Sequence, residues 1–187
     1  WVDFSAQIAF TAGIMQQLAV LTGNNGDDIY FSGLRDSINK NINTFLWDTE
    51  NKCYSDLARS GKYTGVRHIG SFWTLLSGAA TGDRLEQILS DIDNPRYFRR
   101  KHRLPALAAS DSLYSSRGHY WRGGVWAPTN FMVVKGLEAN GKFEKARELA
   151  LNHLTNIYRV YAASKLKPEH IPFEERYEDS YKTIWEC

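Results

Sequence analysis

Apolar residues recur every three or four positions from Val2 to Leu21, at Phe4, Ile8, Ile14 or Met15, Leu18 and Leu21, which predicts a helix. The run Gly23-Asn24-Asn25-Gly26 stops it. A second helix follows from Asp27 to Leu46, carried by Ile29, Tyr30, Leu34, Ile38, Ile42, Phe45 and Leu46, with Asp27 and Asp28 placed to suit the positive end of its dipole. Between Trp47 and Asp56 the pattern changes to a polar turn flanked by aromatics, which predicts a short β-hairpin. Helical periodicity resumes at 69–80 and 83–92, and again at 128–140, where Pro128 stands early and Gly141 lies just past the end. The final predicted helix covers 143–161. Residues 95–125 show weak periodicity. Connections of that length in a compact domain are usually functional or disordered, and this one carries too many aromatic and apolar residues for disorder.

The helices fall into three pairs, with short turns inside pairs and long segments between them, as in stacked αα-hairpins. No fixed period or consensus repeats, which argues against an open solenoid. Unequal, aromatic linking segments suit active-site loops at one end of a closed toroid. The expected fold is therefore all-α, with paired αα-hairpins forming part of an (α/α)6 toroid, a short β-hairpin and long aromatic loops. Residues 1–187 are read as one partial domain.

Composition narrows the function. The net charge of +2 is too small to argue for nucleic acid or an anionic membrane. The basic run from Arg99 to Arg103 is the local exception, read as a solvated loop or a contact to a partner or ligand. Cys53 and Cys187 cannot build a disulfide framework, and no zinc spacing occurs, so neither a metal nor a cofactor is expected. No segment reads as a membrane span or signal peptide. Aromatic residues reach 13%, and flat indole and phenol faces suit the C–H face of a sugar as well as they suit a core.

The stretch richest in candidate chemistry is His119-Tyr120-Trp121-Arg122-Gly123-Gly124-Val125-Trp126-Ala127-Pro128-Thr129-Asn130, where two Trp flank an Arg and two glycines just before a helix. Trp121 and Trp126 could stack on a sugar, and Arg122 offers a fork of donors to hydroxyls or a carboxylate. Gly123 and Gly124 let backbone approach a ligand closely. The competing reading is a Trp-rich hairpin packed under a helix. Upstream, Asp111 could bind a sugar hydroxyl or form an Asx turn. Arg67 and His68 suit a surface or capping role, Asp3 a helix cap or at most a group that supports a site residue, and the acidic residues from Glu174 to Asp179 a solvated face.

The run from Tyr120 to Asn130 resembles the Tyr-Trp-Arg-Gly…Trp…Asn signature of glycoside hydrolase family 63, and more loosely the Gly-Trp-Ala-Pro element of trehalases. Weaker similarities extend over nearly the whole chain: Val2-Asp3-Phe4-Ser5, the hairpin from Phe45 to Asp56, Gly70 to Leu76, and the hydrophobic run from Phe131 to Leu137. The resemblance implies that Tyr120, Trp121, Arg122, Gly123, Gly124 and Trp126 line the subsite of the cleaved sugar. Ile184-Trp185-Glu186-Cys187 is similar to the segment bearing the family's catalytic base, which would make Glu186 the general base.

These families invert anomeric configuration, which needs two carboxyl groups roughly 6.5–9.5 Å apart. The family's acid is an Asp in a Gly-x-Asp-x-Ser-x-Arg motif that does not occur in residues 1–187, so it is expected upstream of residue 1. The resemblance thus implies a fragment of an inverting glycosidase, inactive alone, cleaving α-glucosidic bonds in oligosaccharides or trehalose-like glycosides. Exposed faces of an incomplete toroid would favour self-association. Two other readings stand beside it: a sugar epimerase or lyase on the same fold, and a non-catalytic helical scaffold or carbohydrate-binding remnant.

Overall fold

The computed structural model describes residues 1–165. Helices among them are α1 (Val2–Leu21), α2 (Asn25–Phe45), α3 (Trp73–Ser77), α4 (Gly82–Asp93), α5 (Ala127–Ala139) and α6 (Phe143–Lys165). Strands β1 (Trp47–Asp48) and β2 (Cys53–Tyr54) pair antiparallel, with Trp47 opposite Tyr54, and form the expected hairpin. Two single turns of 3-10 helix cover Ile69–Phe72 and Tyr120–Arg122. The chain divides into two compact units at residue 89, within α4.

In the first unit α1 and α2 form an αα-hairpin, and α3 packs on α1. The turn between α1 and α2 follows from its residues. Gly23 adopts φ +70°, and the amides of Gly23 and Asn24 return to the carbonyls of Val20 and Ala19, the paired bonds of a Schellman closure. Asn24 then caps α2: its side chain accepts the Asp27 amide and donates to the Asp27 carboxylate. Asn43 and Tyr54 bind the hairpin to the end of α3. The Tyr54 hydroxyl meets Asn43 Oδ1 at 2.6 Å and the Ala79 carbonyl at 3.1 Å. Burial pushes its phenol far up from the ordinary value, so it stays a donor.

Four expectations need correction. The residues that carry the periodicity of α1, including Phe4, Ile8, Leu18 and Leu21, are exposed, and the buried face is Val2, Ala6, Ala9, Ala12 and Ala19. Small side chains let neighbouring backbones come close, so alanine makes the contact and the larger residues are left outside. Phe4, Ile8, Thr11 and Met15 of α1 and Phe31 and Leu34 of α2 then line a groove of ≈ 330 Å³. Against the expectation of no membrane span, α1 is long and apolar enough to cross a membrane by length and composition alone. The helix expected over 69–80 is instead a 3-10 turn followed by α3, ending at Gly78 with φ +84°. The hydroxyls of Ser71, Thr74 and Ser77 each donate to the carbonyl three residues back, which competes with regular helix bonding.

In the second unit α5 and α6 form an αα-hairpin closed by the same device, with Gly141 at φ +70° and Lys142 and Gly141 amides returning to Leu137 and Glu138. The long segment before α5 is ordered around its own buried residues, Phe98, Leu104, Ala106, Ala108 and Val125. The basic run is the fourth correction. His102 and Arg103 within it are buried. Arg103 donates to Glu148 at 2.8 Å and Asp93 at 2.7 Å, and Lys145 joins the same two carboxylates. A guanidinium leaving water needs such partners, and here they bind the segment to α6.

Candidate functional site

Tyr120, Trp121 and Trp126 come together at the surface of the second unit, just before α5, and Arg122 follows in the same 3-10 turn as Tyr120 and Trp121. The indoles of Trp121 and Trp126 stack at 5.0 Å with 29° between planes, and Tyr120 stands edge-on to both, at 5.6 and 5.4 Å. Stacked rings cover one another, so the pair offers outer faces rather than a slot between them. Trp121 is half exposed and Tyr120 more so.

Backbone geometry produces this cluster. His119 and Tyr120 both have positive φ, +43° and +60°, unusual for residues with side chains and characteristic of functional loops. Ser115 donates its amide to the Arg122 carbonyl at 2.6 Å, which closes residues 115–122 into a loop. Gly123, at φ +151°, lies so near this closure that a Cβ there would stand 2.3 Å from the Ser115 carbonyl oxygen. Gly123 and Gly124 are buried, and what they admit at close range is the chain itself: Gly124 accepts the Ala106 amide at 2.7 Å. On the other side, Asn130 of α5 donates to the carbonyls of Trp126 and Leu104 from a fully buried position. Its structural role was not legible beforehand, although an Asn four residues into a helix is itself a signal of a tertiary bond.

Arg122 is exposed and donates from Nε to the Leu113 carbonyl at 2.8 Å. Its two terminal nitrogens have no hydrogen-bond partner among the described residues. Asp111 makes the Asx turn, accepting the Leu113 amide at 2.8 Å. Glu186 lies outside the described residues, as do the acidic residues from Glu174 to Asp179. No group of His, Cys, Asp and Glu suited to a metal ion occurs among the described residues.

In the first unit, Asp3 accepts the Phe4 amide, while the Val2 amide is taken by Asp56. His68 stands 3.6 Å from Asp56, and the imidazole, with help from the Val2 amide and against partial burial, holds the Asp56 carboxyl below its ordinary range. Arg67 donates to the Asn51 carbonyl. Both residues of that dipeptide thus brace the β-hairpin region.

A family model, the mannosylglycerate hydrolase MGH1-like glycoside hydrolase domain, matches residues 2–180. The chain is 26% identical over 153 residues to a protein of Borreliella burgdorferi, covering 82% of this chain and 32% of that protein. It is 21% identical over 165 residues to the periplasmic trehalase of Escherichia coli, covering 88% and 28%. It therefore spans about a third of the length of these relatives. In structure it is similar to the glycoside hydrolase family 63 mannosylglycerate hydrolase from Thermus thermophilus in complex with glucose, with a TM-score of 0.71 at 22% identity over 84% of this chain and 37% of that one. The paired αα-hairpins with one short β-hairpin are thus part of an (α/α)6 toroid, as the helical pattern implies. The chain belongs to the MGH1-like glycoside hydrolase domain family.

Proposed function

We propose that this chain forms part of the catalytic domain of an inverting glycoside hydrolase acting on small α-linked glycosides, with α-glucosides the foremost substrate class. The observation that carries this reading is the surface cluster of an indole pair and a phenol, with Arg122 in the same 3-10 turn and its terminal nitrogens without a hydrogen-bond partner among the described residues. An apolar face beside fixed donors is what a pyranose needs: C–H bonds against the ring, hydroxyls to the cation. Tyr120, Trp121, Trp126 and Arg122 would hold the sugar, and Gly123 and Gly124 would keep the loop closed beneath it.

In this reading Glu186 takes a proton from water as the water oxygen bonds to the anomeric carbon. The glycosidic C–O bond breaks, and a second carboxylic acid, from outside these 187 residues, gives its proton to the leaving oxygen. Assay of the full-length gene product on aryl α-glucosides, trehalose and mannosylglycerate tests this, with the product anomer followed by NMR. Glu186→Gln should abolish turnover and leave sugar binding intact. Unchanged turnover would overturn the assignment of Glu186, and binding without turnover in the wild type would favour a carbohydrate-binding module. The apolar face of α1 further suggests that the 187-residue chain, expressed alone, pairs with a second copy. Sedimentation should then show a dimer that Ile8→Glu weakens.

A further inference from the structure

Asp111 accepts two backbone amides, those of Leu113 and Tyr114. The Asp111 carboxylate accepts the Leu113 amide at 2.8 Å, and the Asp111 carbonyl accepts the Tyr114 amide at 3.0 Å. The peptide units on either side of Leu113 are thereby both fixed, and the second of them contains the Leu113 carbonyl. A peptide is planar, so fixing its N–H fixes the direction of its oxygen. That oxygen accepts Arg122 Nε–H at 2.8 Å. The guanidinium is planar as well, so a bond at Nε restrains where the terminal nitrogens point. The Leu113 side chain is exposed, so its burial does not hold the turn in place.

We propose that Asp111 is a positioning residue for Arg122, acting through the Leu113 peptide, and that it sets the angle at which Arg122 meets sugar hydroxyls. This rests on the sugar-binding reading given above. Asp111 does not itself hold the sugar in this scheme, in contrast to the direct contact considered from the sequence.

Two measurements on the full-length protein test it. The first needs no sugar: hydrogen exchange at Arg122 Nε–H, followed by 15N NMR. Protection should persist in Asp111→Asn, which keeps the acceptor oxygen, and fall about ten-fold or more in Asp111→Ala. Equal protection in all three proteins overturns the proposal. The second is calorimetric titration with glucose and methyl α-glucoside. Asp111→Ala should weaken affinity about five-fold, Asp111→Asn less than about two-fold, and Asp111→Ala should add nothing in an Arg122→Ala background. An Asp111→Ala effect that persists undiminished without Arg122, or an Asn variant as poor as Ala, overturns the positioning role in favour of direct contact. Unaltered affinity in both Trp121→Ala and Arg122→Ala would instead overturn the sugar-binding reading, and the exchange result would still stand.

Discussion

The Asp56 carboxylate accepts the Val2 amide at 2.7 Å, joining the first turn of α1 to a residue 54 positions later. A free N–H at a helix start is an unmet donor, and a carboxylate there also meets the positive end of the helix dipole. The β-hairpin region is therefore fastened to α1 by the end of one helix. Asp56→Ala should lower unfolding free energy by about 0.5–2 kcal/mol, and Asp56→Asn by less, because the acceptor oxygen survives. Denaturant titration of the two variants checks this; equal losses would show that charge, not acceptance, is what counts.

The Arg103 network should make stability fall at both ends of the pH scale. Burial pushes Asp93 up, but hydrogen bonds from Lys145 and Arg103 together hold it below the ordinary carboxylate range. The unfolded chain then takes up the proton more readily, so the contribution is full above about pH 3.9 and is lost as pH falls through the lower folded value. Burial lowers Lys145, and bonds to Asp93 and Glu148 outweigh it and raise the ammonium. Its contribution is full below about pH 10.4 and is lost as pH rises through the folded value. Arg103→Met should cost about 1–3 kcal/mol at neutral pH, since both carboxylates are partly solvated and keep Lys145. Urea midpoints across pH should also show a shallower acid limb in that variant.

Gly123→Ala is expected to destabilise by about 1–3 kcal/mol, because the new Cβ must displace the Ser115 carbonyl and adopt a φ suited to glycine. The Ser115 to Arg122 bond should open with it. Loss of protection at the Ser115 amide, seen by hydrogen exchange, identifies this cause.

Trp121→Ala separates binding from folding. Its ring is half exposed and stacked on Trp126, so stability should fall by only about 0.5–1.5 kcal/mol. Sugar affinity in the full-length protein should fall about ten-fold, or roughly 1.4 kcal/mol. A variant that loses stability heavily and keeps its affinity would return the indoles to a packing role.

Legibility differed between elements for physical reasons. Helix periodicity and closing glycines located α2, α5 and α6 to within a few residues, because Gly23 and Gly141 are local signals. The buried face of α1 was misread because periodicity reports a stripe of large residues, and here alanines make the contact while Phe4 and Leu18 face outward. The sequence leaves Arg103 either solvated or turned to a partner or ligand, because nothing near it in the chain reveals Glu148, 45 positions later. In the site, residue types were legible from Tyr120 to Trp126, and their arrangement was not. Whether two indoles grip a ligand or lie against each other depends on the positive φ of His119 and Tyr120, which no side-chain pattern announces.

The bond between Ser115 and Arg122 works like the clasp of a necklace. On the far side of it the exposed Ser116 and Arg117 can change in length or chemistry without disturbing the packed segment beneath, whereas Tyr120 and Trp121, which lie against Trp126, cannot. Natural variation and laboratory insertions in this protein should therefore accumulate at that tip, giving a route to new sugar preferences that spares the scaffold.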